Sequence, residues 1–186
     1  RLGATRLRNK PLRLLAGAPL VVRVLERVRE ANVAQAIIVA TDAPEIAEAI
    51  VAAGGTALLT RPDLPSGTDR VAAVAGRAEF TEFDHILNVQ GDEPFVSDVA
   101  LRGAIDMLKR GLPLGTVAAR APQTILANPN VVKVVRADDG RALYFSRAPI
   151  PWLREEGDRP LLGELMAQHI GVYAYHRDAL ARWVSL

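Results

Sequence analysis

Residues 36–60 read AIIVATDAPEIAEAIVAAGGTALLT, and this stretch decides the fold class. AIIVAT is a continuous, β-branched run of the kind that forms a strand covered on both faces. DAPEIAEAIVAAGG then carries helix punctuation. Asp42 suits the N-cap, Pro44 the first turn, and Gly54–Gly55 the stop. TALLT reads as the next strand. Strand, helix and strand joined by such short connections form a βαβ unit with parallel strands.

The alternation continues on both sides. APLVVRVLERVREAN (18–32) places Leu20, Val21, Val24, Leu25 and Val28 at helical spacing. SGTDRVAAVAGRAEF (66–80) reads as a helix opened by Ser66 or Thr68, HILNV (85–89) as a strand, SDVALRGAIDMLKRG (97–111) as a helix capped by Ser97 or Asp98, and LGTVAAR (114–120) as a strand. The expected architecture is α/β: a Rossmann-like, mostly parallel twisted sheet flanked by helices. After residue 120 the pattern changes. NVVKVVRADDGRALYFSR (130–147) predicts an antiparallel hairpin with its turn at Asp139–Gly140. APIPWLREEGDRP (148–160) reads as an exposed loop, and HIGVYAYHRDALARWV (169–184) as a strand followed by a short helix. The expectation is a single domain over 1–186, with a smaller hairpin subdomain inserted at about 125–175.

Composition narrows the function classes. The chain has 186 residues, 49% apolar and 24% charged, with a formal net charge of +2. No apolar run approaches the ~20 residues of a membrane span. There is no cysteine, which removes disulfides and thiolate metal sites and fits a cytoplasmic protein. The arginines are scattered rather than massed, so neither nucleic acid nor a membrane is an expected partner.

Four segments carry candidate chemistry. RLGATRLRNKPL (1–12) gathers Arg1, Arg6, Arg8 and Lys10 around Gly3 and Thr5. Free backbone N–H groups, a hydroxyl and cationic side chains suit a triphosphate, though a solvated basic loop has the same composition. Neither the G-x-x-x-x-G-K-[ST] loop nor the G-x-G-x-x-G fingerprint occurs, which counts against a P-loop enzyme and an NAD fold. In NVQGDEPF (88–95) an acidic pair, Asp92 and Glu93, follows a buried strand at its carboxyl end, where open α/β sheets bind ligands. A carboxylate there suits a hard cation such as Mg²⁺, or simply caps a turn. RPDLPSGTDRV (61–71) offers Ser66, Thr68 and Arg70 to a ligand, or an ordinary helix N-cap. ALYFSRAPIPW (142–152) and QHIGVYAY (168–175) hold Tyr144, Arg147, His169 and Tyr173; His169 and Tyr173 share one strand face. A surface ion pair and a half-buried histidine are the plain alternatives.

Together with VLERVRE, IIVATD and NPNVVKVV, these segments make the chain resemble the 3-deoxy-D-manno-octulosonate (KDO) cytidylyltransferases, in fixed order from Arg1 to Leu186. That resemblance implies the reaction CTP + KDO = CMP-KDO + diphosphate, dependent on Mg²⁺ and serving lipopolysaccharide biosynthesis, in a cytoplasmic homodimer. It implies that Arg1, Gly3, Thr5, Arg6 and Lys10 hold the CTP phosphates, with Arg1 and Lys10 acting in catalysis. Ser66, Thr68 and Arg70 would lie against the cytidine, and Asp92 would ligate Mg²⁺. Gln90, Tyr144, Arg147, His169 and Tyr173 would face the sugar acid, Arg147 meeting its carboxylate. Members of the family begin with a strand leading into the Arg1 loop. They continue to a GVDTPEDL-like element whose Asp joins the metal site, so the chain is expected to be part of a longer one. The alternatives are a cytidylyltransferase for 8-amino-KDO or a sialic acid, and a non-catalytic nucleotide-binding module.

Overall fold

The computed structural model describes residues 9–125 and 127–186. The chain divides into two compact units, residues 1–115 with 172–186, and residues 116–171.

The first unit opens with a single 3₁₀ turn, Lys10–Leu12, followed by β1 (Leu14–Leu15) and β2 (Ala18–Pro19) as a two-residue hairpin. Its central residues, Ala16 and Gly17, have φ of 49° and 85°, the left-handed values such a tight turn requires. Alanine is strained there. Arg23 holds the turn from α1 (Leu20–Ala31), donating from Nε to Leu15 O at 2.9 Å and from Nη2 to Ala16 O. The inner stripe of α1, Val21, Val22 and Leu25, packs with Ala43, Ile46 and Ile50 into one core cluster.

Strand β3 (Ile38–Thr41), α2 (Pro44–Ala52) and β4 (Thr56–Leu59) form the expected βαβ unit, with β3 and β4 parallel in the register Ile38↔Thr56 to Thr41↔Leu59. The α2 cap differs from expectation. Ala43 is the N-cap, and its own N–H is taken by Thr41 Oγ1 at 3.1 Å. Asp42 is drawn elsewhere, to an arginine described below. The stop at Gly54 is reinforced from α1, because Arg29 donates to Ala53 O and Gly54 O at 3.2 and 2.6 Å.

Helix α3 (Gly67–Ala75) starts from Ser66, β5 (His85–Val89) follows, and α4 (Asp98–Lys109) starts from Ser97. β6 (Leu114–Arg120) leaves the unit, and the Val172–His176 end of β9 (Ala167–His176) returns to pair with β5, antiparallel, from Val89↔Val172 to His85↔His176. Helix α6 (Arg177–Val184) closes the chain. Arg177 pins it by donating to Ala75 O at 2.6 Å, to Phe83 O at 2.9 and 2.6 Å, and to Phe80 O. Among the described residues the β3–β4 pair is parallel, while β5–β9 is antiparallel.

In the second unit, β7 (Lys133–Arg136) and β8 (Ala142–Ser146) form the antiparallel hairpin read from the sequence. The Ala167–Gln168 end of β9 pairs with β7. A 3₁₀ stretch, Glu156–Leu161, and the short α5 (Leu162–Leu165) lie between β8 and β9.

At Gly115, near the start of β6, the backbone lies close against α4. A Cβ there would lie 2.7 Å from Met107 Cβ and press on the Ala104 carbonyl. Because a helix backbone cannot yield as a flexible side chain does, Gly115→Ala is expected to lower stability by about 1–3 kcal/mol. Urea unfolding measures this; an unchanged midpoint would mean that β6 and α4 are not packed this tightly.

Candidate functional site

Lys10 and Asp92 meet in the first unit. Lys10 Nζ donates to Asp92 Oδ2 at 2.7 Å across 82 residues of sequence. Each side chain stands on a turn. Lys10 opens its 3₁₀ turn after Asn9, whose φ of 55° reverses the chain. Asp92 sits inside a turn closed by Glu93 N–H donating to Gln90 O at 3.1 Å, immediately after β5. The side chains are 36% and 43% exposed, so the pair is reachable from solvent. A surface pair of this kind contributes about 0.2–1 kcal/mol and exchanges partners cheaply.

Both residues line a cavity of about 780 Å³, together with Gln90, Ser66, Thr68 and Arg70. Much of the remaining lining is apolar, from α1, β3 and β5.

The Ser66–Arg70 segment is tied into the fold. Ser66 Oγ accepts from the N–H groups of Thr68 and Asp69 at 3.1 and 3.2 Å, and Asp69 Oδ2 accepts from Ser66 N–H at 3.1 Å, a reciprocal capping box. Thr68 hydrogen-bonds the phenol of Tyr175, a fully buried side chain whose pKa burial pushes up to about 12. Arg70 is itself buried. It donates to Asp42 Oδ2 at 3.1 Å, to Arg61 O at 3.1 Å and to Thr60 Oγ1. Arg70 therefore clamps the strand-to-loop junction at Thr60–Arg61 from within the first unit. Its partner Asp42 was read only as a cap in the sequence. Asp42 Oδ1 is buried with no hydrogen-bond partner among the described residues.

Gln90 is exposed beside Asp92. Tyr173 stacks on Tyr175, with ring centroids 6.1 Å apart, and burial raises its pKa. In the second unit, Tyr144 is exposed on β8. His169 shares a hydrogen bond between Nε2 and Thr116 Oγ1 at 2.9 Å and sets its ring edge-on to Phe145. Burial lowers the pKa of His169, which favours the neutral imidazole. Arg147 Nη1 donates to Pro129 O and Asn130 O at 3.0 and 3.3 Å. The sequence reading missed Lys133, which is fully buried beside Arg147. An isolated lysine in a β-branched strand gives no sign of where its ammonium lies. The expected phosphate ligands Arg1, Gly3, Thr5 and Arg6 fall outside the described residues.

For a metal, the chemistry of the donors is the test. Among the described residues no group of three or more His, Cys, Asp or Glu is placed to hold an ion. A single carboxylate beside a lysine is a donor set that Mg²⁺ could use, since that ion takes one or two protein carboxylates and completes its shell with water and other oxygen ligands. Asp92 meets that requirement.

The Lys10–Asp92 pair stands just past the carboxyl end of β5, the place where open α/β sheets bind their ligands. Comparison with known proteins gives the family. The cytidylyltransferase family model matches residues 1–186. The 3-deoxy-manno-octulosonate cytidylyltransferase of Gemmatimonas aurantiaca is 58% identical over the whole chain, which spans 72% of that protein. The protein of the same name from Yersinia pseudotuberculosis is 45% identical, again over the whole chain and 75% of its own length. A solved CMP:2-keto-3-deoxy-manno-octonic acid synthetase in complex with CTP superposes with a TM-score of 0.86 at 36% identity, covering all of this chain and 74% of that one. The chain belongs to the cytidylyltransferase family, among the 3-deoxy-manno-octulosonate cytidylyltransferases.

Arg70→Met is expected to leave the Asp42 carboxylate, 14% exposed, without its counter-ion. The cost should be about 3–5 kcal/mol, and Asp42→Asn in the same chain should recover part of it. Equilibrium unfolding of the parent protein and these two variants decides; a full-strength Arg70→Met protein would contradict the clamp.

Proposed function

We propose that the protein transfers the cytidylyl group of CTP to KDO, giving CMP-KDO and diphosphate for lipopolysaccharide biosynthesis. The observation that carries this reading is the meeting of Lys10 and Asp92 at the cavity. The relatives' names and the CTP-bound structural neighbour support the choice of nucleotide and sugar acid.

In the proposed reaction the anomeric hydroxyl oxygen of KDO attacks the α-phosphorus of CTP. A new P–O bond forms, the bond to the bridging oxygen breaks, and diphosphate leaves with that electron pair while the hydroxyl proton passes to solvent. Catalysis here is positioning and charge neutralisation. Lys10 exchanges Asp92 for triphosphate oxygens and offsets the charge on the departing diphosphate. Asp92 would hold Mg²⁺, and Gln90 beside it would face the sugar. When bound, Mg²⁺ supplies Lewis-acid polarisation of phosphate oxygens. Arg1, Gly3, Thr5 and Arg6 complete the phosphate cradle in this reading. Ser66 and Thr68 present the start of α3 to the cytidine, and Arg70 acts through the Thr60–Arg61 loop that it clamps. Tyr173 belongs to the same sugar-acid assignment as Tyr144, Arg147 and His169.

The sheet is the Rossmann-like, mostly parallel one of nucleotidyltransferases, supported by β3 and β4. The 116–171 unit serves sugar binding and dimerisation. Leu143 and Trp152 there are 58 and 83% exposed, apolar side chains of the kind that a second copy would cover; a monomer mass by light scattering would contradict the homodimer. The setting is cytoplasmic, where CTP is available.

Diphosphate release with CTP and Mg²⁺ is the test, offering KDO, 8-amino-KDO and N-acetylneuraminate in parallel. Release with KDO alone is expected. Release with another sugar alone would overturn the substrate, and no release from folded protein would favour a nucleotide-binding module. Asp92→Asn should lower Mg²⁺-dependent turnover by at least ~10²-fold; near-normal turnover would remove Asp92 from the metal site.

A further inference from the structure

The second unit holds a buried cation that the proposed reaction does not use. Lys133, the first residue of β7, is 0% exposed. Its Nζ donates to Asn128 O at 3.0 Å, to Val131 O at 2.9 Å and to the main-chain carbonyl of Arg147. Three acceptors call for three N–H donors, which only the ammonium form has. Burial works against that form and lowers the pKa, and the nearby Arg147 charge adds to the effect.

The Arg147 side chain sits in the same corner. It is exposed, and Nη1 donates to Pro129 O and Asn130 O. All hydrogen bonds recorded for these two cations run to main-chain carbonyls of residues 128–131 and 147, and neither has a carboxylate partner among the described residues. Buried charges are ordinarily paired with opposite ones. Here the ammonium instead fastens both the loop that orients the guanidinium and the main chain from which it projects.

We propose that Lys133 is a positioning residue for Arg147. It holds the 128–131 loop against residue 147, so that the exposed guanidinium is already oriented when a carboxylate arrives. This rests on the assignment of Arg147 to the carboxylate of the sugar acid. Lys133 itself touches no substrate. Its effect passes entirely through Arg147, and a merely structural lysine would not show that dependence.

The test is steady-state kinetics of the protein and its Lys133→Met, Arg147→Ala and double variants, varying KDO and CTP separately. Arg147→Ala should raise the KM for KDO roughly tenfold or more, as expected for losing a charged hydrogen bond, and leave the KM for CTP unchanged. Lys133→Met should raise the KM for KDO severalfold with the same selectivity. The double variant should be no worse than Arg147→Ala alone. Should Lys133→Met not fold, Lys133→Gln, which keeps two N–H donors without the charge, takes its place. Full additivity in the double variant, or a Lys133 variant with an unchanged KM for KDO, overturns the proposal while leaving Arg147 in its role. A normal KM for KDO in Arg147→Ala overturns the role of Arg147, and the proposal with it.

Discussion

Lys10 and Asp92 belong to distant parts of the chain, and the fold of the first unit brings them to 2.7 Å. In the proposed reaction the triphosphate and its metal ion would meet these two groups. Both are fixed by main-chain geometry. Lys10 follows a left-handed residue and precedes Pro11, and the hairpin beyond it is clamped by Arg23. Asp92 is set by the end of β5 and a closed turn. Because the pair is half-exposed, it is weak.

The remaining cations do quieter work. Arg23, Arg29, Arg70 and Arg177 all donate to carbonyls at the ends of strands and helices. A planar fork with five donors can satisfy two or three such orphan carbonyls at once. This explains part of the arginine content that composition leaves unexplained. Lys133 achieves the same within the second unit with three donors and a compact head.

Periodicity and cap residues made most elements legible in the sequence. The βαβ unit at 36–60, the Ser66 and Ser97 caps, the Asp139–Gly140 hairpin and the final strand and helix all follow from local rules. Local rules misjudged Asp42, because a buried arginine 28 residues away competes for it more strongly than the N-terminus of α2 does. They were silent on Lys133 for a similar reason: its partners are carbonyls, and carbonyls have no sequence signature. The QGDEP turn showed a carboxylate at a strand tip, but only the fold brings Lys10 to it.

The most direct test of the Lys10–Asp92 account is calorimetric titration of CTP with and without Mg²⁺, in the protein and in its Asp92→Asn variant. The account predicts that Mg²⁺ strengthens CTP binding in the protein, and that the variant binds CTP with little response to the metal. An equal response to Mg²⁺ in both would contradict it and move the metal away from Asp92.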